Sequence, residues 1–183
     1  IPPEKSIEYR PIEANLRCEY GHWEGDFVIG KRKKSACLLV FTERMTREEK
    51  IYKISSKKAS EVVKELDQME NEYKDVFYSK FKTITFDNGA EFRDYKSIEK
   101  SVIKKTNRTK VYYAHPYCSG ERGTNENNNR LIRRFIPKST KIDEITEEFI
   151  KEIEKWMNNY PRKIFNYLSA NDMLKLCYEK TVI

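Results

Sequence analysis

Hydrophobic and polar positions change period along the chain, and each change marks an element. Trp23 to Gly30 alternates, with Trp23, Gly25, Phe27 and Ile29 on one face and Glu24, Asp26 and Val28 on the other, which predicts a strand. Ala36 to Thr42 (ACLLVFT) is almost continuously apolar, the pattern of a central strand covered on both faces. Thr46 to Ile54 alternates more weakly, and the short links between the three runs predict an antiparallel meander. From Lys58 to Phe77 the period lengthens. Ala59, Val62, Val63, Leu66, Met69, Tyr73 and Phe77 recur at three and four, an amphipathic helix for one face of the sheet. Lys82 to Phe86 (KTITF) reads as a fourth strand ending at Asp87, Ala90 to Lys100 as a helix, and Lys110 to Ala114 (KVYYA) as a fifth strand.

Tyr117 to Pro137 (YCSGERGTNENNNRLIRRFIP) opens on small and polar residues and then becomes a helix. At about 100° per residue, Leu131, Ile132 and Phe135 lie roughly opposite Glu126, while Arg130 and Arg133 share its side. Thr146 is placed to cap a helix whose apolar stripe is Phe149, Ile150, Ile153, Trp156, Met157 and Tyr160, with Pro161 at its end. Ser169 with Asp172 resembles a capping box for a last helix through Met173, Leu174 and Cys177. The order predicts one α/β domain, residues 21–179, with a five-stranded mixed sheet flanked by helices. Residues 1–20 are polar, carry Pro2, Pro3 and Pro11, and read as an extended linker.

Composition narrows the function class. The 183 residues carry 36 Lys+Arg against 29 Asp+Glu, a net +7 that suggests phosphate-bearing partners. No apolar run approaches the ~20 residues that span a bilayer, so no membrane role is expected. Cys18, Cys37, Cys118 and Cys177 form no C-x-x-C pair and the two histidines, His22 and His115, lie far apart. Neither a zinc site nor a disulfide framework is expected, and reduced thiols point to the cytoplasm.

The chemistry-bearing residues are acidic. Asp26 sits among apolar strand neighbours, where a carboxylate is costly unless it is paired or holds a metal. Asp87 stands where a strand gives way to Asn88-Gly89, a place that also suits an Asx turn or a helix cap. Glu126 lies on a helix face, where an i, i+4 pair with Arg130 is the alternative reading. Glu24 and Glu91 are competitors for the same role. Adjacent first and fourth strands would make Asp26 and Asp87 neighbours, with Glu126 approaching from its helix. Such a set of hard oxygen ligands suits Mg²⁺ or Mn²⁺ and in-line phosphoryl displacement supported by two ions. A thiol mechanism through Cys118 would have only His115 as a base.

Four motifs occur in order: HWEGD at His22 to Asp26, TFDNGAEF at Thr85 to Phe92, AHPYCSGERGTNEN at Ala114 to Asn127, and NNYPRK at Asn158 to Lys163. By these the chain resembles the catalytic core of bacterial insertion-sequence transposases of the DDE type, in the insertion sequence thirty family, and more remotely retroviral integrases. The resemblance runs from about Ser6 to Leu176. It implies a ribonuclease-H-like fold, with Asp26, Asp87 and Glu126 as catalytic and metal-binding triad for Mg²⁺, or Mn²⁺ in its place, as two ions. It implies cleavage at a transposon end and transfer of the freed 3′-hydroxyl into target DNA. Double-stranded DNA is then the partner, and a homodimer or larger assembly would pair two ends near the nucleoid. Arg122, Asn125, Arg130, Arg133, Arg134 and Lys138 become candidates for DNA contact, with Arg122 also placed to orient Glu126.

The sequence departs from the family at Gly120, where a tryptophan is common, and at Ala170, where a proline is common. The interval from Asp87 to Glu126 is slightly long, and the surplus fits in KKTNRTK at 104–110. The chain begins at Ile1 without Met and without the helix-turn-helix region that reads transposon ends, so it reads as an excised piece following a DNA-binding region. Two other functions fit the same residues: a related nuclease or junction resolvase, and an inactive DNA-binding or interaction module derived from a transposase.

Overall fold

The computed structural model describes residues 1–31, 35–116 and 123–181. The sheet is built from β1 (His22–Ile29), β2 (Cys37–Glu43), β3 (Glu49–Ile54), β4 (Thr83–Phe86) and β5 (Lys110–Tyr113) in the order β3-β2-β1-β4-β5. The first three strands form the expected antiparallel meander, and β4 joins β1 in parallel, with β5 parallel to β4. Every residue of β2 is buried, as its unbroken apolar run requires.

Strand alternation sorts the side chains onto two cores. Trp23, Phe27, Leu39, Phe41, Ile84, Phe86 and Val111 face Val62, Leu66 and Met69 of a helix spanning Ala59–Tyr73. With α1 (Ile12–Leu16) preceding the sheet, that helix is α2, followed by α3 (Val76–Lys80) and α4 (Tyr95–Glu99) on the same side. On the other side, Val28, Leu38, Val40 and Ile51 meet α5 (Gly123–Phe135) and α6 (Glu147–Asn159) through Leu131, Ile132, Ile136, Ile150, Ile153 and Met157. A last helix, α7 (Ala170–Thr181), packs on α6. Glu24 and Asp26 therefore point to the α5–α6 side, as the alternation of β1 indicates.

Both expected caps form. Thr146 Oγ1 accepts from the Phe149 amide at 3.2 Å. Ser169 and Asp172 close a reciprocal box, the Ser169 amide donating to Asp172 Oδ2 at 2.8 Å and the Asp172 amide to Ser169 Oγ at 3.1 Å. The helix expected over 58–77 breaks at Lys74, whose φ of 51° ends α2 before α3 begins. The one expected over 90–100 is a 3-10 turn, Ala90–Phe92, followed by the five-residue α4.

The first twenty residues are not an extended linker. They fold as two 3-10 turns and α1, burying Ile7, Arg10 and Ala14, because the outer edge of β5 needs a partner. Ser6 bridges Tyr113 in parallel, while the Val111 amide donates to the buried carboxylate of Glu99 at 2.7 Å. The opposite edge is closed in the same manner by α6. Glu154 Oε2 accepts from the Ile51 amide at 2.8 Å, and Asn158 both accepts from the Glu49 amide (2.8 Å) and donates to its carbonyl (3.0 Å).

Candidate active site

Two close packings put the first two carboxylates side by side. The β1–β4 register pairs His22 with Thr83, Trp23 with Ile84 and Glu24 with Thr85, and two further steps along it bring Asp26 opposite Asp87. Parallel strands in register carry such residues on the same face, about 4.8 Å apart in the hydrogen-bonding direction. Gly25 makes this possible. A Cβ there would stand 2.2 Å from Cε1 of Phe86, so only glycine lets the fully buried ring lie across β1, on the face of the sheet opposite Asp26.

Both aspartates are half-buried and held by amides. Asp26 Oδ1 accepts from the Phe27 amide (2.8 Å) and Oδ2 from Asn129 Nδ2 of α5 (2.9 Å). Asp87 forms the Asx turn, its Oδ1 accepting from the Gly89 amide at 2.9 Å, while Asn88 Nδ2 donates to the Ala114 carbonyl at 2.5 Å and ties the turn to the end of β5. An Asx turn and a ligand position are thus compatible at one residue.

The competitors have other partners. Glu24 is fully buried and ion-paired with Arg44, whose Nε donates to the Ala14 carbonyl at 2.8 Å. Glu91 is ion-paired with Lys57, although its carboxylate and that of Asp87 both crowd the space beside Gly89. His22 of the first motif is structural. Its Nδ1 meets Thr83 Oγ1 and its Nε2 meets Glu19, each at 2.8 Å, and burial holds its pKa below the ordinary value.

α5 docks on this site by polar contacts as well as its apolar back. Asn128 Nδ2 donates to Thr42 Oγ1 (3.4 Å) and its Oδ1 accepts from Arg162 (2.9 Å), while Arg133 donates to the Ile29 carbonyl at 2.9 Å. Position 126 falls one turn before Asn129 on the same flank of the helix. The side chain of Glu126 lies outside the described residues, and so do Arg122, Cys118 and Gly120. Among the described residues no three His, Cys, Asp or Glu side chains converge on one point. The donor chemistry of the described pair nevertheless fits a hard cation: two carboxylates, adjacent and half-exposed.

The expected DNA-contacting residues divide. Arg130, Arg134 and Lys138 are exposed. Arg133 is partly buried against the end of β1, which lowers its pKa. Asn125 is buried, and its amide nitrogen has no hydrogen-bond partner among the described residues. Asn129 escaped the sequence reading. Its position three residues after Glu126, on the same flank, was the available signal.

No family model matches the chain. Curated relatives do. The chain is 39% identical over 173 residues to a probable transposase for the insertion-like sequence element IS1161 of Streptococcus salivarius, covering 94% of this chain and 46% of that one. It is 38% identical over 175 residues to the transposase for IS4351 of Bacteroides fragilis (96% and 51%), and 30% identical over 169 residues to the transposase InsI for IS30A of Escherichia coli K12 (92% and 42%). The chain spans about half the length of these relatives. Among solved structures it is similar to a chain of the simian T-cell lymphotropic virus intasome in complex with PP2A regulatory subunit B56 gamma, with a TM-score of 0.55 and 15% identity, covering 79% of this chain and 50% of that one.

The mixed five-stranded sheet flanked by helices is thus a ribonuclease-H-like fold. Over nearly its whole length the chain is homologous to transposases of bacterial insertion sequences, those of the IS30 group included. No helix of the described residues is long and apolar enough to cross a membrane.

Proposed function

We propose that the chain is a transposase catalytic core that cuts DNA at the ends of an insertion sequence and joins the freed 3′-hydroxyl to target DNA. The observation carrying this reading is the register that sets Asp26 beside Asp87 under α5. The names of its relatives, transposases for insertion sequence elements, support DNA as the substrate class.

In the first step water forms a bond to the scissile phosphorus and the transposon-end 3′-oxygen leaves with a proton. In the second that 3′-hydroxyl bonds to a target phosphorus and displaces a target 3′-oxygen. Mg²⁺ held by Asp26, Asp87 and Glu126 would supply charge stabilisation for the attacking and leaving oxygens. The chain's own part is positional. Asn129 fixes the rotamer of Asp26, the Asx turn fixes Asp87, and α5 brings position 126 toward the pair. No protein nucleophile is needed. Pairing two DNA ends calls for a homodimer or larger assembly, working at the nucleoid in the cytoplasm.

The test is Mn²⁺ soaked into crystals of the chain, read by anomalous scattering, with Asp87→Asn as control. A peak shared by Asp26 and Asp87 and lost in the variant supports the reading. Full Mn²⁺ occupancy elsewhere, with no peak at the aspartates, would leave an inactive DNA-binding module instead.

A further inference from the structure

On the flank of α5 away from Asp26 lies a groove of about 580 Å³ that the acidic site does not use. Its cations come from four separate parts of the chain: Arg17 after α1, Arg47 in the β2–β3 turn, Arg130 and Arg134 on α5, and Arg162 and Lys163 after α6. At about 100° per residue, Asn127, Leu131 and Arg134, which line it, project from the side of the helix opposite Asn129 and Arg133. No acidic residue is among its described lining residues.

The six cations are held mainly by neutral acceptors, although buried Glu24 lies near Arg17 and Arg47, Glu43 near Arg17, and Glu49 near Arg162. Arg17 donates to the Arg44 carbonyl at 3.0 Å, and Arg47 donates to the same oxygen. Arg162 donates to Asn128 Oδ1 at 2.9 Å and to the Arg47 carbonyl at 3.4 Å, and its buried Nε has no hydrogen-bond partner among the described residues. All these acceptors are uncharged, and among the described residues none of the six cations forms an ion pair. Arg17 and Arg47 also hold positive φ angles, 56° and 64°, that L side chains rarely adopt. Burial, with Arg17 among the nearby cations, pushes the Arg47 pKa down to about 10. The cations gathered on one groove give it a positive potential that favours an anion.

We infer that this groove binds the phosphate backbone of DNA, as a second track on the flank of α5 away from Asp26. Resting on the proposed function for the choice of DNA as the polyanion, it adds Arg17, Arg47, Arg162 and Lys163 to the interface and gives the NNYPRK motif a role.

The experiment measures anisotropy of a fluorescein-labelled DNA duplex titrated with the 183-residue chain in EDTA, from about 50 to 200 mM salt. The groove variant is Arg134→Ser with Lys163→Ser, both exposed. The control, Lys96→Ser with Lys100→Ser, removes the same charge at exposed positions on and after α4. The groove variant should bind roughly tenfold more weakly, with the slope of log K against log salt smaller by about two, while the control stays near wild type. Equal weakening by both pairs, or an unchanged slope in the groove variant, would overturn the inference. EDTA keeps this result independent of the metal chemistry. The Mn²⁺ scattering experiment reads the aspartates on their own, so failure of the groove and failure of the proposed reaction read separately.

Discussion

Replacing Gly25 with alanine adds one methyl group where the Phe86 ring of β4 lies against β1. The new Cβ would stand 2.2 Å from Phe86 Cε1 and 2.6 Å from Cδ1. The ring has no exit, being fully buried and stacked on Phe92 at 4.2 Å, with Phe41 against it at 6.4 Å. Either the ring leaves its rotamer or the strands part, and overpacking of this kind costs about 3 kcal/mol. For a chain of this length that is a fall of roughly 6–12 °C in Tm. Because Gly25 precedes Asp26 and Phe86 precedes Asp87, parted strands also part the carboxylates. A displacement of about 1 Å there is worth ~100-fold in rate. Urea unfolding of the single variants and of Gly25→Ala in a Phe86→Leu background separates the causes. With the smaller side chain the alanine should cost under about 1 kcal/mol, a coupling of about 2 kcal/mol. A Gly25→Ala variant within about 0.5 kcal/mol of wild type, or an equal cost in both backgrounds, would refute the steric argument.

Asn129→Ala should fold normally but weaken Mn²⁺ binding at Asp26 about tenfold, measured by isothermal titration, because the carboxylate loses the amide that orients it. Asn158→Ala leaves the Glu49 amide and carbonyl without their partner and should cost about 1–3 kcal/mol in urea unfolding, with faster hydrogen exchange at the Glu49 amide. Burial holds the His22 pKa below 6.5, so the folded state prefers the neutral ring. Its stabilisation is full above the ordinary value and is lost as pH falls through the lowered one. The Tm difference between wild type and His22→Gln should therefore shrink progressively on acidification, as thermal scans across that range would show.

Periodicity made most of this architecture legible. The alternation of Trp23 to Ile29 set Asp26 on the α5 side, and the unbroken ACLLVFT run marked the buried centre of the sheet. The contacts that complete the site leave no such mark. Asn129 to Asp26, Arg133 to Ile29 and Asn158 to Glu49 each join residues about a hundred positions apart through one side chain, and polar residues of that kind resemble any solvated face. The folding of residues 1–20 was hidden for a related reason. Prolines and mixed charge describe a linker equally well, and only the unpaired edge of β5 makes them a cover. Lys74 ends a helix by its backbone angle, which its residue type does not announce.

Both margins of the sheet end in side chains rather than strands. Glu99 takes the outward amide of Val111 on one side, and Glu154 with Asn158 takes those of Ile51 and Glu49 on the other. An edge satisfied in this way offers no template for another chain to extend. Copies brought together on DNA would have to meet through helices and loops, each with its sheet complete. Under the proposed function, such contacts form and come apart without either copy unpairing a strand.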